Sequence, residues 1–453
     1  MNAVFCGLVC LALGAEVEPR FEPGTLLHYQ GTVAQAKPDD AAGGGEKTYD
    51  LTLLVTRSDA AGLDFYWLVE ERGAGGFGWA DRFGPWSQNA EGAAVGSQGP
   101  ALLFDYGDGK HVVPIGPPRF VFPQAAEVGA KWERDGSEYE IVRSTTAVDR
   151  PAWQVEVRNQ FGPQKRLWVD KDVQLVLQQD DRVFMNKGTE YRSALQLRAV
   201  EKPADAEAAA LRDGLAALVH LKGKLKRPAR ATDDAWSPEQ LQLLAKHLPE
   251  AKPHAGAGAL ARIVGAAETD LKRQSRRAGA LDEVVTKQMG RQVEKFTLAG
   301  LDGAKLADAD LAGHVTVLHF WDYRDQPLKE PYGQVGYLEF LYARHQPAGV
   351  KVYGVAVDSR FQQEGTARAA IAGVRKLKSF MNLSYPILFD SGDLLRQFGD
   401  PRLAGGELPL FVVIGRDGKI AHYKIGHYPI DREHGLKELD TAVKSRLAAA
   451  PAK

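Results

Sequence analysis

Cysteine is nearly missing from this chain: there are two in 453 residues, Cys6 and Cys10, both in the first ten positions. Past Cys10 no disulfide can staple a domain, no thiolate can act as nucleophile and no cysteine can hold zinc. An excess of one charge is missing too, since 57 Lys and Arg face 58 Asp and Glu, a formal net charge of -1. That balance supplies no electrostatic reason for a nucleic-acid or anionic-membrane partner. No apolar run reaches the roughly 20 residues that a membrane-spanning helix requires. Catalytic signatures are equally scarce. G-x-S-x-G, Walker and zinc patterns are absent, and Gly303, Gly313 and Gly349 read as turn glycines and not as a phosphate loop. His422, His427 and His434 have no ligand spacing and read as exposed loop histidines. No metal and no cofactor are expected.

The chain is long enough for two or three domains, each with its own core. The apolar segment Ala3–Ala15, with Ala12-Leu13-Gly14 ahead of Glu16, reads as a secretory signal over residues 1–15 and implies an extracytoplasmic, periplasmic or secreted protein. No Lys or Arg precedes it, which leaves a misassigned start codon or a buried N-terminal strand as the competing reading. Val9 is too bulky for Cys10 to serve as a lipid-attachment cysteine.

Residues 21–200 read as a β-rich domain, a sandwich or a half-barrel. Alternating or aromatic-rich runs recur at Leu26–Val33, Tyr49–Thr56, Asp64–Glu70, Tyr139–Ser144, Trp153–Arg158, Arg166–Val169, Val173–Gln178 and Tyr191–Val200. Six of the eight tryptophans fall here. They either fill its interior or line a lipid- or glycan-binding groove. Residues 203–289 read as a helical connector. Asp205–Val219 has helical spacing broken at Gly214, Ser237-Pro238 starts a helix ending before Pro249, and Leu260–Ala278 carries one apolar face.

Residues 290–449 alternate strands with helices, as an α/β sheet covered on both faces does. At its centre the stretch Val315–Pro331, V-T-V-L-H-F-W-D-Y-R-D-Q-P-L-K-E-P, runs from a buried-type strand into a helix start. With Leu408-Pro409-Leu410-Phe411-Val412-Val413-Ile414 and the hairpin residues Arg416-Asp417-Gly418-Lys419-Ile420, it resembles the TlpA-like redoxins of the thioredoxin superfamily, related to the AhpC/TSA proteins. The resemblance implies a thioredoxin fold with Pro409 as its cis-proline. It also puts Asp325 and Leu328 where the two catalytic cysteines would stand.

The chemistry of that family needs a thiolate at a helix N-terminus and a second thiol one turn on. A carboxylate at Asp325 can cap the helix but is neither a soft nucleophile nor reducible. The expected function is therefore non-catalytic binding or scaffolding in the cell envelope, with no catalytic residue. An oxidoreductase-family protein with atypical or partner-supplied activity is the first alternative, and a lipid- or glycan-binding β domain the second. The expected binding residues are Trp321, Tyr323, Arg324, Pro327, Leu408 and Pro409, which would hold an extended peptide or protein client at the cis-proline edge. Retention of Pro409 for folding alone is the competing reading. A hydrolytic or metal site built from His319, Asp322, Arg324, Asp325 and Glu330 is weighed against a cap and local ion pairs within Asp322–Asp325.

Overall fold

The computed structural model describes residues 21–36, 46–73, 75–96, 98–105, 109–185, 187–228, 230, 235–322 and 334–448. The signal-like segment and residues 323–333 lie outside them. The chain forms two compact units, Met1–Lys272 and Arg273–Lys453, and the division falls within the stretch read as a connector.

In the first unit the strands are β1 (Leu26–Gln35), β2 (Lys47–Asp59), β3 (Gly62–Arg72), β4 (Phe83–Asn89), β5 (Ala94–Val95), β6 (Ala101–Asp105), β7 (Lys110–Pro114), β8 (Lys131–Arg134), β9 (Ser137–Ala147), β10 (Arg150–Asn159), β11 (Gly162–Asp170), β12 (Val176–Met185) and β13 (Thr189–Glu201). Eleven of them form one antiparallel sheet in the order β5-β4-β3-β2-β1-β13-β12-β11-β10-β9-β8, and β6 and β7 form a separate ribbon. The strands thus lie in one continuous order, not in the two large facing sheets of a sandwich.

Period-2 alternation sends Leu27, Tyr29 and Val33 of β1, with Leu51, Phe65, Trp67 and Trp86, to one apolar core that also takes Leu102 and Phe104 of the ribbon. Gly31 must be glycine here, because a Cβ would stand 2.2 Å from the Tyr49 ring. Between β2 and β3, at one end of the sheet, Lys47 Nζ lies 2.8 Å from Glu71 Oε2, with both side chains almost wholly buried. Glu71 also accepts the backbone N–H of Phe77 at 3.2 Å and of Leu103 at 3.4 Å, tying the ribbon to the sheet.

The helices α1 (Asp205–Leu225) and α2 (Pro238–Ala251) follow, and α3 (Ala259–Gln288) carries the division between the units. α2 starts as its sequence dictates: Ser237 accepts from Gln240 N–H, Gln240 reaches back to Ser237 N–H, and Pro238 opens the helix. It runs past Pro249 because Leu248 and Ala251 are buried. Gly214 does not break α1. It is the point of close approach, where a Cβ would come 2.7 Å from Leu260 and 2.9 Å from His254. Trp79 and Trp236 both donate to Asp270 Oδ2, at 3.2 and 2.8 Å.

The second unit opens with the hairpin β14 (Thr297–Ala299) and β15 (Lys305–Ala307). Its further elements are β16 (Thr316–Asp322), α4 (Val335–His345), β17 (Lys351–Val357), α5 (Ala367–Phe380), β18 (Ile387–Asp390), α6 (Asp393–Gln397), β19 (Leu410–Ile414), β20 (Ile420–Ile425) and α7 (Lys437–Ala448). The sheet order is β18-β17-β16-β19-β20, with β16, β17 and β18 parallel and β19 and β20 antiparallel. Both faces are buried, which explains the unbroken apolar runs. Val317, Trp321 and Phe411 face the core under α4 and α7, while Leu318, Phe320, Leu410 and Val412 face the core holding Leu394 and Phe398.

Candidate functional site

The central strand β16 ends at Asp322, and the next described residue is Gln334. Tyr323, Arg324, Asp325, Pro327 and Leu328 lie outside the described residues, as does Glu330. Trp321 does not stand at the surface. Its indole is 1% exposed and belongs to the core. Because both sheet faces are covered, a strand residue of either phase is buried, so Trp321 packs where the sequence reading had it bind. Gly354, on neighbouring β17, makes room for it: a Cβ there would sit 3.3 Å from Trp321 Nε1 and 2.8 Å from the Tyr385 ring. Gln334 is held in place by Tyr428. Its side-chain amide donates to Tyr428 O at 2.7 Å and accepts from Tyr428 N at 2.9 Å, all in a buried setting.

Leu410 pairs with Phe320 across β16 and β19, so Leu408 and Pro409 run alongside the end of β16. The Leu408–Pro409 peptide bond is cis. Pro409 is buried and its carbonyl accepts from Gly426 N at 2.8 Å. Leu408 is half-buried against the second core, and no backbone hydrogen bond among the described residues involves it. Of the predicted binding residues, the structure brings together Trp321, Leu408 and Pro409. Of these, Leu408 alone is partly open.

Ion pairs surround this end of the sheet, and the sequence reading missed them. Asp358-Ser359-Arg360 and Asp400-Pro401-Arg402 adopt the same closed motif, in which the Asp caps the backbone N–H two residues on and holds that residue's guanidinium. Burial pushes the Asp400 carboxyl up, but the guanidinium and N–H of Arg402 outweigh it and hold it below the usual carboxylate range. Arg402 is held above its ordinary value by its bonds to Asp400 and then by the fields of Asp322 and Asp390. A repeated Asp-x-Arg, once just after β17 and once between α6 and β19, was the available signal.

The proposed hydrolytic grouping does not form around His319. That ring is fully buried inside β16 and stacks on Phe411, with centroids 4.3 Å apart. Alternation points it away from the phase of Asp322. Nor do the three histidines behave as uniformly exposed loop residues. His422 Nε2 lies 2.6 Å from the Tyr428 hydroxyl, and burial holds its pKa below the ordinary value. Burial lowers His427 as well. His434 lies 3.0 Å from Asp431 in an exposed turn. Among the described residues no group of three or more His, Cys, Asp or Glu converges on a metal position.

Comparison with known proteins agrees with this architecture. Residues 289–423 match the model of the AhpC/TSA family. The thiol-disulfide oxidoreductase ResA of Bacillus thuringiensis (strain Al Hakam) is 26% identical over 157 residues, 34% of this chain and 79% of that protein. ResA of Bacillus anthracis is similar to the same extent, at 26% over 157 residues. Among solved structures, a thioredoxin-family thiol:disulfide interchange protein from Chlorobium tepidum TLS is 18% identical, with a TM-score of 0.28, covering 35% of this chain and 97% of its own.

Proposed function

We propose, from the premise that the C-terminal segment is a redoxin domain of the thioredoxin superfamily, that this protein binds or scaffolds other chains without redox catalysis, outside the cytoplasm. One observation carries the reading: no cysteine follows Cys10, so the domain whose chemistry depends on a thiolate pair has none of its own. The apolar Ala3–Ala15 segment supports export.

The binding place is the edge at Leu408, a half-buried apolar residue beside the end of β16 with its backbone unengaged among the described residues. An extended peptide would pair there as an added strand. Tyr323, Arg324 and Pro327 stay in the proposed contact set on their sequence positions. Trp321 and Pro409 act from within, as packing.

The test is capture of extended peptides from an array by the full chain and by Leu408→Asp. The reading expects at least a tenfold loss in the variant with its far-UV circular dichroism unchanged. Equal capture by both chains would sink it.

A second reading is favoured by the printed names of the relatives, which are thiol-disulfide oxidoreductases. In it the domain takes part in thiol exchange with a cysteine supplied by a partner protein. A partner cysteine trapped in a mixed disulfide with one sulfur of a substrate disulfide, the other leaving as a thiol, in a reaction that stalls without this chain, would support it.

A further inference from the structure

In the first unit, the sheet face turned away from the aromatic core is apolar at Leu54, Leu68 and Phe83, all buried, and α1 packs against β2 and β4. Beside them the same face turns polar. Cross-strand pairing sets Thr52 against His28, and Asp50 against both Gln30 and Glu70. These residues floor a cavity of about 780 Å³, walled by α1 and by the segment 254–262 that leads into α3. That size lies within the roughly 300–1,000 Å³ typical of small-ligand sites.

Some of the charges are already satisfied, since Arg262 pairs with Glu70 and Arg72 with Asp50. Three are not. Arg198 gives Nε and Nη2 to the one amide oxygen of Gln30, at 3.1 and 2.9 Å. This orients its guanidinium and leaves the Nη1 edge without a carboxylate among the described residues. Glu201 comes within 3.5 Å of His28 Nε2, and Glu207 on α1 has no ion pair among the described residues. His28 Nδ1 lies 3.3 Å from Thr52 Oγ1, whereas Nε2 is shielded from solvent and makes no hydrogen bond among the described residues. The Glu201 carboxylate is the acceptor that faces Nε2.

Spacing selects the ligand. Glu201 reaches to within 3.5 Å of His28 Nε2, and Arg198 is bonded to Gln30, two residues on along β1. The acidic and basic ends therefore lie about 7 Å apart. A simple anion would meet Glu201 and Glu207, and a simple cation would meet Arg198. An extended chain of about two residues, charged oppositely at its two ends, spans the distance.

We propose that this cavity binds a short peptide with free termini. Its ammonium lies at Glu201 and Glu207, and its carboxylate pairs with the open edge of Arg198. Leu26, Leu211 and Leu260 supply apolar wall for its side chains.

The test is isothermal titration calorimetry of the full chain with the dipeptide Ala-Leu, and with its N-acetylated and C-amidated forms. The free peptide is expected to bind, and each cap to lower affinity tenfold or more. Arg198→Gln is expected to erase the penalty of amidation, and Glu207→Gln to shrink that of acetylation. Leu408→Asp, in the other unit, leaves all of this unchanged. No heat from the free peptide at millimolar concentration, or equal affinity for capped and free forms, overturns the proposal. So does binding that disappears in Leu408→Asp and keeps its amide discrimination in Arg198→Gln, which would assign the peptide to the other edge.

Discussion

Replacing Lys47 by Met tests whether the ribbon β6–β7 is tied to the large sheet by one buried ion pair. Lys47 Nζ and Glu71 Oε2 are 2.8 Å apart, with side chains 2% and 1% exposed. Met fills much of the volume of the lysine stem but leaves the Glu71 carboxylate charged and buried. Removing one partner of such a pair costs about 3–5 kcal/mol. Here two backbone N–H groups, from Phe77 and Leu103, remain to solvate the carboxylate. Those bonds, at 3.2 and 3.4 Å, are long, so the low end of the range, about 3 kcal/mol, is expected. Seven of the eight tryptophans lie in the first unit, so urea unfolding followed by tryptophan fluorescence reports this transition. Lys47→Met should lower the midpoint without changing the slope. Glu71→Gln, which keeps an acceptor for the backbone donors, should cost less. A loss below about 1 kcal/mol in Lys47→Met would refute the reasoning, because an exposed pair gives that value.

Gly31→Ala should destabilise the same unit by about 1–3 kcal/mol, since its Cβ must displace the Tyr49 ring; the same urea titration reads it. Gln334→Ala strips a buried N–H and C=O of Tyr428 of their partners, at about 1–3 kcal/mol each, and should lower the melting temperature of the second unit. Asp440 lies 2.6 Å from His345 Nε2 and 2.7 Å from Lys444 Nζ. Burial raises its carboxyl, yet these bonds prevail and hold it below the usual carboxylate range. A depressed folded-state pKa stabilises above the unfolded value and loses that contribution as pH falls through the folded one. Asp440→Asn should therefore be less stable than the parent at pH 7, and the gap should close as pH drops below about 4 in a pH series of thermal melts.

How much of this could be read beforehand depended on whether local pattern or long-range packing set each feature. The strand patterns at Leu26–Val33, Tyr49–Thr56, Asp64–Glu70 and Tyr191–Val200 are legible because one face is apolar, and observed strands cover them. Strands β4, β5 and β8 escaped. They are short or, like Phe83–Asn89, carry Gly84 and Pro85 that read as loop. The cap at Ser237 was legible to the residue, because capping chemistry is local. Pro249 and Gly214 misled, since burial and close helix approach, neither visible locally, override propensity at both. At the candidate site strand β16 was legible. The burial of Trp321 was not, because alternation alone does not say that both faces are covered. The cavity over His28, Gln30 and Thr52 was invisible in sequence, where those residues look like an ordinary solvent-facing phase. Its walls come from positions 203–262, far along the chain.

The most direct test of the central claim is insulin-disulfide reduction with dithiothreitol, run on the full chain and on its Cys6→Ser/Cys10→Ser variant beside a thioredoxin control. The account predicts that both chains stay at the rate of dithiothreitol alone. Turnover above that rate in the variant, which has no thiol anywhere, would contradict it.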